Sequence, residues 1–488
     1  MKKHISFTEE EIQSIFGSEA AEDERDLNLQ RYFFKNDAYN KTNAALPLRI
    51  LVGHKGIGKS AILKIAYREN LNSNKLALWI RPDDIADLCN VADEEKDFLW
   101  LIKTWKEGLE QLIYDLILEN IGNGINNEGI KPILSKGLKV INSVASMLSN
   151  SNFNIDQAKE TLVQNFIKHK EIYLYLDDLD RGWKGTPSSI RRISALLSAV
   201  RDLSNDNEGL YFRISLRSDV YYLVRTSDES TDKIDGSVIW LSWSSHEILV
   251  LLAKRIQTYL GNFISEKELM KKPQFEIAKY LSPVFCERFE GSGKWEDAPI
   301  YRILTSMIRR RPRDLVKLCT LAAREANRNR HNQIMTEDFQ VVFDRYSQDR
   351  IQDVINEHRF ELPEIERLVL GMKPSKVEKN TEMAYVYSEE KLLRKIDGIM
   401  QHGDFLFASG NKATAKDLLV FMYKINFLIA RRRGPDGRLD RRYFEDNKYI
   451  STSFATFGYD WEVHPAYRWA LYPEMSNIYK TIELDEEI

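Results

Sequence analysis

Gly53-His54-Lys55-Gly56-Ile57-Gly58-Lys59-Ser60 fits the pattern G-x-x-x-x-G-K-[ST] at every fixed position, and its surroundings decide the fold. Before it stands Leu48-Arg49-Ile50-Leu51-Val52, a short apolar strand, and after it Ala61 to Tyr67 reads as a helix. In that setting the glycines let the backbone wrap a phosphate group with its N–H groups pointing inward. The helix directs its positive end at the same oxygens. Lys59 is expected to reach the β- and γ-phosphates of a nucleoside triphosphate, and the Ser60 hydroxyl to ligate Mg²⁺. The residues from Gly53 to Ala61 are therefore the expected binding residues. A chance glycine-rich turn would have no reason to sit between a strand and a helix.

A second stretch, Ile172-Tyr173-Leu174-Tyr175-Leu176-Asp177-Asp178-Leu179-Asp180-Arg181, ends an all-apolar run in carboxylates. An apolar run of this length is consistent with a strand buried on both faces, and ligands of parallel α/β sheets sit at the carboxyl ends of strands. Asp177 is the expected Mg²⁺ partner beside Ser60, held through water, and Asp178 the residue that polarises the attacking water. Asp180 and Arg181 are expected to orient the site or to meet a neighbouring subunit. The plain alternative is a solvated acidic turn after a core strand.

Further elements complete an alternating order. Leu76 to Ile80 is a strand stopped by Arg81-Pro82, and Thr186-Pro187 opens a helix with Thr as its cap. Tyr211 to Leu216 and Val238 to Trp243 read as strands. Strands alternating with helices predict an α/β fold with a parallel sheet covered on both faces. Residues 1–244 form this core, with an N-terminal helical extension and a helical insertion over about 95–168. Helical spacing dominates 245–345, and a third region of different texture covers 346–488.

The two motifs resemble the Walker A and Walker B elements of P-loop NTPases that carry an additional strand between them. Within that group "YLYLDDLDR" is similar to the acidic motif of the KAP and STAND ATPases. The resemblance implies a helical lid and a C-terminal winged-helix-like module. It also implies an ATP-hydrolysing switch whose activity is low or partner-stimulated and which closes lid on core when ATP binds; the alternatives are a DNA-associated AAA+-like ATPase using a C-terminal winged helix and an assembly scaffold that binds ATP without hydrolysing it. Many bacterial relatives serve in anti-phage defence. GTP is disfavoured because the string Asn411-Lys412-Ala413-Thr414 lacks the aspartate of a guanine-reading motif.

The arginines follow from the same resemblance. Arg217 stands at the end of the Tyr211–Leu216 strand, where relatives sense the γ-phosphate and where a guanidinium would stabilise charge on the departing phosphoryl group. The competing reading is a surface pair with Asp219. Lys59, Asp177, Asp178 and Arg217 thus form the candidate catalytic set. Arg309-Arg310-Arg311-Pro312-Arg313-Asp314-Leu315 opens a lid helix, from which Arg313, or next Arg311, is expected to contact the nucleotide. A solvated, capped helix start remains the alternative.

In the last third a helix over Ala415 to Phe427 runs into a basic hairpin, Arg431 to Arg442, turning at Gly434-Pro435-Asp436-Gly437. Its six arginines against two aspartates suit either nucleic-acid phosphates or acidic protein neighbours. Phe454 to Trp469 is dense in aromatics and reads as packing of a small domain, in spite of Glu462 and His464.

Composition bounds these readings. The 488 residues are 43% hydrophobic and 29% charged, with 70 basic and 73 acidic side chains and a net charge of −3. Such a chain supports two to four domains and has no global field pulling it onto nucleic acid or membrane. The start turns polar at once, without the apolar core of a secretion signal, and the best apolar stretch, Leu418 to Ala430, is too short to span a bilayer. Cys89, Cys286 and Cys319 form no disulfide framework or metal ribbon spacing. A cytoplasmic protein is expected, working as a homo-oligomer or as a subunit beside an unidentified protein sensor or effector.

Overall fold

The computed structural model describes residues 5–20, 23–24, 26–85, 97–124, 171–227, 229–435, 437–447, 458–472 and 478–485. Cys89, residues 125–168 of the helical insertion, Asp436 and the aromatics at 454–457 lie outside the described residues. By contact density the chain falls into two compact units. One comprises residues 36–53 and 59–240, the other 1–35, 54–58 and 241–488.

The first unit is built on five strands: β1 (Leu48–Val52), β2 (Leu76–Ile80), β3 (Ile172–Leu176), β4 (Leu210–Leu216) and β5 (Val238–Trp240). All pairings are parallel and the order is β2-β3-β4-β1-β5. β4 thus lies between the strand that leads into Gly53 and the strand that ends at Asp177, which is the additional-strand arrangement expected from the motifs. Every residue of β3 is buried, as its unbroken apolar run requires when helices cover both faces. One covering layer comes from helix Phe98–Gly124, where Leu101, Trp105, Leu109, Ile113 and Ile117 recur every fourth residue and are buried. They pack with Ile193, Leu196, Leu197, Val200 and Leu203 of helix Pro187–Asp206 in the same core. The Thr186 hydroxyl accepts the Ser189 N–H at 3.3 Å, capping that second helix as its sequence predicts.

One strand is shorter than its sequence reading. β5 ends at Trp240, not Trp243, because Ser244 starts a helix (Ser245–Tyr259) with a full capping box. Its hydroxyl accepts the Glu247 N–H, and the Glu247 carboxylate accepts the Ser244 N–H. Residues 241–243 are spent on the turn into that cap.

The second unit is mainly helical from Ser245 to His358, interrupted by a small antiparallel pair, β6 (Arg288–Glu290) and β7 (Glu296–Pro299). Sequence patterning missed this pair because three- and four-residue strands carry too few alternations to register. Helix Thr336–His358 is a single run of 23 residues, so the boundary read at 345 falls inside it. No glycine or proline interrupts it to justify a break there. The C-terminal part continues from helix Ala415–Lys424 into a hairpin of β9 (Leu428–Arg433) and β10 (Leu439–Arg442). That hairpin belongs to a four-stranded antiparallel sheet of order β10-β9-β11-β8, completed by β11 (Asp460–Val463) and β8 (Val386–Tyr387). Among the described residues no helix is long and apolar enough to cross a membrane.

Two buried ionic clusters hold this unit. Asp314 accepts Arg309 Nε at 2.7 Å and Nη2 at 2.8 Å, and Arg350 Nη1 at 2.7 Å. Arg309 also donates to the Tyr467 hydroxyl at 2.9 Å. Glu462, fully buried, lies between Arg441 (3.1 Å) and Arg468. The flanking guanidiniums hold both carboxyls below the ordinary carboxylate range despite burial, which pushes the other way. Groups depressed on folding contribute stability at pH values above the unfolded carboxylate range and lose it as pH falls. Asp314→Asn leaves Arg309 buried without a counter-charge and Arg350 with only the half-exposed Asp353, at 2.9 Å. We expect a loss of roughly 3–5 kcal/mol in chemical denaturation at neutral pH, with the gap to wild type narrowing toward pH 3.

Candidate functional site

The chemistry gathers at the carboxyl ends of β1, β3 and β4. Gly56 and Gly58 sit at φ +79° and +107°, where a side chain is strained. At Gly56 a Cβ would also come within 2.9 Å of Arg313 Cβ. The Gly53 N–H donates to Leu216 O at 3.2 Å, tying the start of the loop to β4. Lys59 opens helix Lys59–Asn72, and its Nζ donates to Gly53 O at 2.8 Å.

Asp177 emerges from β3, buried, and accepts hydrogen bonds from the hydroxyls of Ser215 and Ser60. Burial pushes its carboxyl up, while those hydroxyls and the nearby Lys59 ammonium pull it down. A lysine, a serine and a carboxylate converging in this way have the donor set that a triphosphate with Mg²⁺ needs. Ser60 and Asp177 offer hard oxygen ligands, and Lys59 offers the counter-charge for phosphate oxygens. Ser215, which the sequence reading passed over, lies inside β4 and carries no signal apart from the register that sets it two residues before Arg217.

The acidic turn sorts its carboxylates in an order the sequence does not reveal. Asp178 is exposed and adopts φ +63°, a left-handed backbone that Asp tolerates better than most residues. Asp180 has its side chain 9% exposed, with Oδ2 3.5 Å from Arg217 Nε. Burial pushes its carboxyl up to about 6, against the pull of Arg217 and Lys59. Arg217 also grips Asp219, at 3.1 Å from Nε and 2.6 Å from Nη2. The Arg217–Asp219 pair weighed in the sequence is therefore present, and it is largely buried instead of lying on the surface. Arg181 is mostly exposed, with Asp83 as a distant partner at 3.9 Å.

The middle of the loop is braced on its carbonyl side. The Arg313 backbone N–H donates to Gly56 O at 3.2 Å, while its Nε donates to Glu19 O at 3.0 Å. Arg311 Nη1 reaches Lys55 O at 3.4 Å, and Trp243 Nε1 donates to Ile57 O at 2.8 Å. His54 is fully buried, with Nε2 3.0 Å from Glu445 Oε1. Arg311 and Arg313 are thus set against the loop carbonyls.

In the basic hairpin two arginines are turned inward. Arg431 pairs with Glu483 at 2.7 Å, and Arg441 with Glu462 at 3.1 Å and Asp485 at 2.5 Å. Arg433 meets Glu483 at 2.6 Å, and Arg442 meets Asp440 at 3.0 Å. Much of the charge that suited either nucleic-acid phosphates or acidic protein neighbours is therefore paired within the chain. The aromatic segment packs as expected where it is described: Trp461, Tyr467 and Trp469 are buried. Glu462 and His464 are buried with them.

Sheet order, loop and acidic strand end together define a P-loop NTPase fold of the additional-strand type. Comparisons with known proteins give four likenesses. Residues 247–355 match the FunZ-associated C-terminal helical domain, a segment that begins in helix Ser245–Tyr259 and ends in helix Thr336–His358. The chain is 22% identical over 476 residues to the "Putative transposon gamma-delta 80.3 kDa protein" of Escherichia coli (strain K12). The match covers 89% of this chain and 65% of that protein, so the chain spans about two thirds of the relative's length. Among solved structures it is similar to the Walker-type ATPase PABY2304 of Pyrococcus abyssi, with a TM-score of 0.40 and 12% identity over 86% of this chain and 95% of that one. The ORC2 protein of Aeropyrum pernix gives 0.38 and 11% over 84% and 86%.

Proposed function

We propose that the protein binds ATP with Mg²⁺ and hydrolyses it as a molecular switch. The observation that carries this reading is the convergence of Lys59, Ser60 and Asp177 at one end of the parallel sheet. In this reading the loop N–H groups and Lys59 hold the phosphates, while Ser60 and Asp177 hold the metal, which supplies Lewis-acid neutralisation of charge on the phosphoryl group. Arg217, held by Asp180 and Asp219, is the residue this reading assigns to stabilise that charge.

The general base is the point on which sequence and geometry part. Adjacency in the motif favours Asp178, whereas burial and the approach to Lys59 and Arg217 favour Asp180. We assign the role to Asp180. A carboxylate titrating at about 6 is protonated, and useless as a base, below that pH. Phosphate release should therefore rise as pH passes through that value. Asp180→Asn should cut release about 10²-fold and remove the inflection, with Asp178→Asn costing much less. The reverse ranking would return the role to Asp178. No phosphate release under any condition, with nucleotide still bound, would leave an ATP-binding scaffold.

A further inference from the structure

The C-terminal part of the chain reaches the phosphate loop through one buried side chain. Position 54, the second residue of the loop, is one that the pattern G-x-x-x-x-G-K-[ST] leaves open. Here it is a histidine with no exposed surface, its Nε2 3.0 Å from the buried carboxylate of Glu445, and its ring 6.2 Å from that of Phe444. Glu445 is itself held in place. Asn426 Nδ2 donates to its Oε2 at 3.0 Å, and Asn426 Oδ1 accepts the Phe444 N–H at 3.1 Å. Asn426 sits at φ +56° just past helix Ala415–Lys424, and its amide is fixed by these two hydrogen bonds. Arg311 lies in the same buried cluster. Its Nε and Nη2 find no hydrogen-bond partner among the described residues. Burial raises the Glu445 carboxyl, with the Asn426 amide and then the Arg311 guanidinium pulling against it.

We propose that Glu445 is a positioning residue for the phosphate loop: acting through His54, and itself held by Asn426, it fixes the loop in the form that receives phosphate. This rests on the nucleotide-binding reading above. A carboxylate costs several kcal/mol to bury, and this one is spent on a single loop side chain and one amide. With the Lys55, Gly56 and Ile57 carbonyls already engaged by Arg311, Arg313 and Trp243, the His54 contact secures the second residue of the loop. A loop ordered in advance gives up less freedom when ligand arrives, so affinity rises without any new ligand contact. Linkage makes the effect reciprocal: nucleotide on the loop must stabilise the seat of Glu445 to the same extent. The C-terminal part would thereby read the state of the loop.

The test uses the full chain and a fluorescent ATP analogue as probe, with phosphate release measured in parallel. Glu445→Gln, His54→Gln and the double variant should each raise the dissociation constant about 5- to 10-fold, and Glu445→Gln should change kcat less than 2-fold. The double variant should be no worse than either single one, because both remove the same contact. Asn426→Gly, which keeps the left-handed backbone and leaves the carboxylate in place, should weaken binding in the same direction and covers the case in which Glu445→Gln does not fold. Unchanged affinity in all folded variants, or effects of His54→Gln and Glu445→Gln that multiply in the double variant, would overturn the proposal. Lys59→Ala separates the two levels. Should it bind the probe as wild type does, the nucleotide reading itself has failed. Should it alone lose the probe, only the role of Glu445 has.

Discussion

Replacing Lys59 with alanine is expected to abolish phosphate release and to weaken binding of ATP by about 10²-fold or more. The reason lies in the electrostatics of the loop. Backbone N–H groups supply partial charges, but Lys59 is the one full positive charge in the loop that the structure shows beside Asp177, and removing a group aimed at transition-state charge typically costs about 10²–10³-fold in turnover. The fold should survive the change, since the ammonium is only partly buried and spends its hydrogen bond on a loop carbonyl. Binding measured by titration with the labelled nucleotide, alongside a thermal melt, checks both halves. Wild-type affinity in a folded variant would mean that the loop holds no triphosphate.

The second large effect concerns Asp177. Asp177→Asn keeps the size of the side chain and retains an oxygen for the Ser60 and Ser215 hydroxyls. It loses the charge. Turnover should fall about 10²–10³-fold, and the Mg²⁺ concentration for half-maximal activity should rise, because one of the two oxygen donors assigned to the metal has become neutral. ATP binding measured without Mg²⁺ should change little, or tighten slightly, since the buried negative charge facing the phosphates is gone. That divergence between metal-free binding and metal-dependent turnover distinguishes a metal partner from a residue that merely supports the strand. Equal losses in both would assign Asp177 to structure.

How far the sequence carries can be judged from these residues. The loop and β3 were legible because each has a strong local cause: glycines demanded by positive φ, and an apolar run demanded by burial on two faces. That one strand, β4, stands between β1 and β3 followed from the resemblance of the two motifs; the rest of the order β2-β3-β4-β1-β5 was not read from the sequence. The ranking of Asp178 and Asp180 was not legible, since it depends on a left-handed turn at Asp178 and on where Arg217 of another strand comes to lie. Arg313 was expected to face nucleotide with its side chain, and the structure gives its backbone N–H to Gly56 and its guanidinium to Glu19 instead. Asp314, one residue on, passed as an ordinary acidic residue in the first turn of a helix, because its partners Arg309 and Arg350 meet it only in the packed unit. The inward turn of Arg431 and Arg441 was hidden for the same reason: their partners Glu462, Glu483 and Asp485 come from beyond the hairpin.

The uninterrupted helix Thr336–His358 has a practical corollary for anyone dissecting this chain. Its 23 residues make a rod about 35 Å long, with Arg350 two thirds of the way along it bonded back to Asp314. A truncation placed at residue 345 would cut the rod, expose the buried faces of Ile351, Val354 and Ile355, and strip Asp314 of one of its two cations. Fragments meant to isolate the helical segment should therefore extend past His358, and a fusion or cleavage site engineered into that rod would report on damage rather than on independence of its two ends.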